Sequence, residues 1–121
     1  MTNRKDIAKP TLYLMVLGDE AEYVKIGVTS NLARRIRNVL TASPLMFKCI
    51  HHLDCKDMPQ AKRLEKWFQE FMRSKWIRGE WYDTRNGGYS LLEQAMNVIT
   101  PTLDQEWALI EDVGAFIDRK W

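Results

Sequence analysis

The chain has 121 residues, enough for one domain around a single core, and its 45% apolar and 28% charged residues are the ordinary balance of a folded protein. A net charge of +2 singles out no partner class, but residues 1–100 hold 16 Lys and Arg against 11 Asp and Glu, and residues 101–121 hold 2 against 5. The longest apolar run, Leu12 to Leu17, is far too short to cross a bilayer. No N-terminal segment reads as a signal peptide, and two Cys suit reduced thiols, so a cytoplasmic protein without membrane attachment is expected.

Residues 1–10 are polar, end at Pro10 and read as an N-terminal arm. Residues 11–17, apolar on both faces, predict a buried strand, and Gly18 to Ala21 a hairpin loop to an antiparallel partner. In that partner Tyr23, Lys25 and Gly27 share one face, while Val24, Ile26 and Val28 share an apolar one. Gly27 is read as clearance for the following turn. Thr29, Ser30 and Asn31 are turn and N-cap residues. The period then changes to 3.6, and Leu32, Ile36 and Val39 form the stripe of a first helix over 31–41. At 100° per residue Arg34 points away from that stripe, and Arg35 lies at its edge. An Arg half covered in this way, beside a strand face with Tyr and Lys, suits a phosphodiester.

Residues 45–53 predict a third strand. Asp57, Met58 and Pro59 read as the cap and first turn of a second helix to about Arg73, with Ala61, Leu64, Phe68 and Phe71 as its apolar stripe. Glu65 falls at the edge of that stripe, closer in than an ordinary surface Glu. Residues 78–82 read as one short extended piece, and Gly87-Gly88 as a break. Ser90-x-x-Glu93 is a capping-box pattern opening a third helix to about Val98, stopped by Pro101. Thr102-x-x-Gln105 repeats the pattern, predicting a fourth, acidic helix whose apolar face carries Leu103, Trp107 and Ile110 and docks on the same domain. The expected fold is α+β, a small three-stranded antiparallel sheet flanked by helices. Residues 11–100 form the domain and 101–121 its C-terminal helix.

The ordered set Thr11-Leu12-Tyr13, Lys25-Ile26-Gly27 and Arg35 resembles the motif of the GIY-YIG nuclease superfamily, with Arg35 ten residues past the position of the second motif's Tyr. Within it the chain is most similar to the phage and bacterial branch with K-I-G (T5orf172/MUG113-like domains), and Gly79-Glu80-Trp81 resembles that branch's closing motif. The likeness runs from about Leu12 to Tyr82. It implies a Mg²⁺-dependent DNA endonuclease with one metal ion (Mn²⁺ an alternative), phage-borne or from a mobile element. By the same resemblance Glu65 is the metal ligand, Arg35 stabilises the phosphate, and a Tyr supplies the base.

Each role has a plainer alternative. Glu65 could pair with Lys62 or Lys66 on the helix surface, and Tyr13 could be a core residue. Arg34, Arg37 and Lys62 fit DNA-backbone contacts. The sequence departs from the motif at Lys25, which stands where many members have the base Tyr; Tyr23, on the same face, could replace that phenol while Lys25 contacts phosphate. Val39 stands where several members have His. Glu80 reads as packing under the site or as support for the metal or Arg35. Cys49, His51, His52 and Cys55 match no zinc spacing, since His51 and His52 point to opposite strand faces. The expected partner is DNA, with no membrane and no oligomeric state read from the residues. The alternative function is a nucleic-acid-binding module of the same fold that has lost cleavage.

Overall fold

A computed structural model describes residues 9–120, with side chains through Asp118. The expected N-terminal arm therefore lies mainly outside the described residues. The strands are β1 (Thr11–Leu17), β2 (Tyr23–Thr29), β3 (Phe47–Asp54), β4 (Trp76–Arg78), β5 (Trp81–Asp83) and β6 (Ala108–Ile110). The helices are α1 (Leu32–Ala42), α2 (Met58–Phe71), α3 (Gly88–Ile99) and α4 (Val113–Lys120). The strands form one antiparallel sheet in the order β4-β5-β2-β1-β3-β6.

The expectation of a small three-stranded sheet is thus wrong: among the described residues the sheet has six strands, flanked by four helices. The missed strands have three residues each, too short for alternation to register. Gly79, at φ +54°, reverses the chain and splits the supposed extended piece into the β4–β5 hairpin. The Thr102 pattern opens no helix. Residues 100–102 form a single 3-10 turn, and Ala108–Ile110 then pairs with the open edge of β3. A paired edge satisfies backbone groups that a helix there would have left facing solvent. Leu103 and Trp107 pack on one side of the sheet and Ile110 on the other, so the three never shared a helical face. The Ser90 pattern is also unused, because α3 starts two residues earlier, behind Gly87 at φ +88°.

β1 is central and buried along all seven residues. Its alternation sorts the core into two layers. Leu12, Leu14 and Val16, with Val24 and Ile26 of β2, face Ala61, Leu64 and Phe68 of α2 and Leu92 of α3. Tyr13, Met15 and Leu17 face Ile36 and Val39 of α1, with Val113 and Ile117 of α4. Local chemistry fixes the helix starts: Asn31 accepts from the Arg34 amide at 3.0 Å, and Asp57 accepts from the Gln60 amide at 2.8 Å. Among the described residues no helix is long and apolar enough to cross a membrane.

β6 and α4 complete the second layer, and each buried Ile or Val there contributes ~1.5–3 kcal/mol. A chain ending at Pro101 should melt at least ~10 °C lower, as followed by circular dichroism. An unchanged midpoint would show that the layer is complete without them.

Candidate functional site

The cross-strand pairs Tyr13↔Gly27 and Met15↔Lys25 put Tyr13, Lys25 and Gly27 on one face of the sheet, the face that α1 covers. α1 starts immediately after β2, so Arg35, one turn in, comes down over Tyr13. Its Nη1 donates to the Tyr13 hydroxyl at 3.1 Å, and its guanidinium lies 5.9 Å from the ring centroid. The Tyr13 hydroxyl in turn donates to Glu80 Oε1 at 2.8 Å. Lys25 Nζ reaches the same carboxylate oxygen at 3.2 Å and lies 5.1 Å from the Trp81 ring centroid. Four side chains from four elements or turns are thereby joined through two oxygens.

Gly27 makes this possible. A Cβ there would lie 2.4 Å from the Tyr13 hydroxyl and 2.6 Å from Glu80 Oε1. Its lack of a side chain serves the hydrogen bond across the strands, not the turn that follows. The amide of Ile26 also donates to the Glu80 carbonyl at 2.9 Å, which ties the β4–β5 turn to β2.

Tyr13 is fully buried, and burial with the Glu80 carboxylate holds its phenol proton well beyond the usual range, offset in part by Arg35. It is a protonated donor that sets the positions of Glu80 and Arg35. Beside it an open cleft of about 310 Å³ is bounded by Lys25, Arg35, Asn38, Val39, Ser43 and Trp81. Val39 is one of its apolar walls.

Glu65 comes from the opposite side of the sheet, on α2. It is half buried, and among the described residues it makes no hydrogen bond or ion pair, so neither Lys62 nor Lys66 holds it. Burial first, then the Glu80 charge, raises its pKa, while Lys62 lowers it. Glu65 and Glu80 therefore approach one end of the sheet from different elements and repel one another. Tyr23 lies further along the Lys25 face, partly exposed, with the Arg85 guanidinium 5.3 Å from its ring centroid. Arg85 is held by Asp83, whose carboxyl it draws down to about 2. Arg34, Arg37 and Lys62 are exposed.

The structure thus brings Tyr13, Lys25 and Arg35 together, sets Glu65 near Glu80, and leaves Tyr23 one step along the groove. The sequence reading places Glu80 under the site as packing or as support for the metal or Arg35; what it lacks is the direct contact with Tyr13 and Lys25, which only the hairpin turn brings about. Among the described residues no three or more His, Cys, Asp or Glu side chains are arranged to hold a metal ion. His51 and His52 stand opposite Leu14 and Tyr13, on different faces.

Two outcomes follow from these contacts. Gly27→Ala should cost about 1–3 kcal/mol in thermal or urea unfolding, because the new methyl must push Tyr13 and Glu80 apart. Burial raises the folded pKa of Glu65 above the ordinary carboxylate value, so its contribution is fully present below that ordinary value and is lost as pH rises through the folded one. Glu65→Gln should therefore melt at or above the parent temperature at pH 7, and the gap should close towards pH 4. A mutant that melts lower at pH 7 would mean that the carboxylate is stabilising as an ion.

No curated protein and no solved structure matches this chain. The T5orf172 domain matches residues 11–100, which include every strand but β6 and every residue of the Tyr13–Lys25–Arg35–Glu80 cluster. The chain belongs to the T5orf172 domain family.

Proposed function

We propose that this protein is a metal-dependent DNA endonuclease of the GIY-YIG type. The observation that carries the reading is the convergence of Arg35 and Lys25 on one cleft, with their approach fixed by Tyr13 and Glu80. Two cations held at a concave site, one with fork geometry, suit the charge that develops on a phosphoryl group under attack. Arg34 and Arg37, exposed on the outside of α1, and Lys62 on α2 fit looser contacts along the DNA backbone.

The donor set fits a hard divalent ion such as Mg²⁺. Among the described residues Glu65 is a half-buried carboxylate with no hydrogen bond or ion pair, and its repulsion from Glu80 is what a bound cation would relieve. One carboxylate and several waters is a common way of holding Mg²⁺. When bound, the ion supplies positive charge against the negative charge building on the phosphodiester. Arg35 binds and orients the phosphate. Lys25, neutralised in part by Glu80, faces the same cleft. Tyr13 is closed off from substrate and holds its proton, so its role is to position Arg35 and Glu80. Of the two tyrosines Tyr23 is partly exposed, and it is the Tyr-type base of this reading.

The alternative, a DNA-binding module without cleavage, draws on the burial of Tyr13 and on the Lys at position 25. Nicking of supercoiled plasmid with Mg²⁺ or with EDTA separates the two. Arg35→Ala should lose at least ~100-fold in nicking rate, and Arg34→Ala about tenfold or less, mainly through a shallower salt dependence of binding. Glu65→Gln should bind DNA and not cut it. Equal losses in the two Arg variants, or wild-type nicking by Glu65→Gln, would remove the assigned roles. Salt-dependent DNA binding without nicking under any metal would leave the binding module.

A further inference from the structure

The cleft at Lys25 and Arg35 does not end at Trp81. A second depression of about 300 Å³ continues from it, and Ala42, Ser43 and Trp81 belong to both. The far part is bounded by Tyr23 on β2, by Leu45, and by Ile77 and Arg78 on the outermost strand β4. One groove therefore runs across the β2–β5–β4 end of the sheet, between the strands and the C-terminal end of α1. It has Arg35 and Lys25 at one end and Arg78 at the other. Its middle has two aromatic rings, Trp81 and Tyr23, and the apolar side of Ile77, which is 44% exposed.

The charge distribution assigns the parts. The C-terminal end of α1, at Ala42 and Ser43, borders the middle of the groove, and the Ser43 amide donates to Val39 O at 2.9 Å. A helix C-terminus repels anions and offers acceptors to N–H groups. Phosphates are therefore favoured at the two cationic ends, and a group with N–H donors and a flat apolar face is favoured between them. A nucleobase has both properties. A duplex offers its phosphates outside and keeps its base faces stacked, so it cannot occupy the middle of such a groove.

We infer that the groove takes an unpaired nucleotide strand, with a base against Trp81 and Tyr23 and its flanking phosphates at Lys25–Arg35 and at Arg78. Resting on the nuclease reading, it names the substrate class: DNA with a single-stranded segment next to the scissile phosphate, as in a flap, a fork or a free single strand. Stacking on aromatic side chains inside a basic groove is the general means of holding single strands without sequence preference.

The test uses the full chain and begins in EDTA, so that binding is read without cleavage. Oligodeoxythymidylate should quench Trp fluorescence and bind at least ~10-fold tighter than a blunt duplex of the same length. Trp81→Leu and Arg78→Ala should each weaken the single strand by about tenfold, with duplex binding changed less. Arg78 is exposed, so its variant checks the groove even if Trp81→Leu fails to fold, and Trp81→Phe should restore most of the affinity. With Mg²⁺ added, a flapped duplex should be cut faster than an intact one. Equal affinity for single strand and duplex, or full single-strand binding by both variants, would overturn the groove. Single-strand binding of the expected pattern without cutting of any DNA would keep the groove and discard the nuclease. Cutting of intact duplex at wild-type rate by Arg78→Ala and Trp81→Leu would keep the nuclease and discard the groove.

Discussion

Tyr13 carries a phenol oxygen into a strand that is buried on both faces, and that oxygen must find its partners inside the chain. A buried hydroxyl left unpaired costs roughly 1–3 kcal/mol, so the surroundings are constrained to supply a donor and an acceptor. Arg35 is the donor and Glu80 the acceptor. Each then has one position relative to the sheet. Arg35 fixes how α1 lies over β1, and Glu80 fixes how the β4–β5 turn folds against β2. Lys25 is held by the same carboxylate, and Gly27 has no side chain because one would occupy the space between the two oxygens.

This arrangement separates two tasks that one kind of residue could have combined. Tyr13 is protonated and buried, a structural donor. The groups that face solvent at the cleft are cations. A Tyr whose proton is held this firmly contributes geometry, and Lys25, two positions before Gly27, adds a second cation to the cleft. Glu65, half buried and with no hydrogen bond or ion pair among the described residues, has its pKa raised by burial and by the Glu80 charge, so its ionised form is disfavoured by the fold.

The edge strands do more than extend the sheet. β4 and β5 lengthen the strand face that carries Lys25, adding Trp81, and β4 adds Ile77 and Arg78 beyond it. β6 does the opposite job at the other edge, closing β3 and leading into α4, which roofs the second core layer well away from β4. The acidic C-terminal stretch thus reaches the edge of the sheet remote from β4, while Lys25, Tyr23, Arg78 and Trp81 lie towards the β4 end.

Periodicity alone made much of this legible. The two faces of β2, the stripe of α1, the buried stripe of α2, and the differing exposure of Arg34 and Arg35 all follow from local geometry, because alternation and the 3.6 period act over neighbouring residues. The ordered motif of Tyr13, Lys25, Gly27 and Arg35 gave the family for the same reason, since its spacing is fixed by one hairpin and one helix turn. Tertiary structure decided the rest. Strands of three residues have no readable period, so β4, β5 and β6 exist only because an edge was there to pair with. The Thr102 pattern promised a helix, and the open edge of β3 won the backbone hydrogen bonds instead. Gly27 looked like a residue of the turn; only the facing Tyr13 and the returning hairpin show what it leaves room for. Glu80 lies 67 residues from Tyr13, and the partner of a buried hydroxyl at that separation is set by packing, which no local pattern encodes.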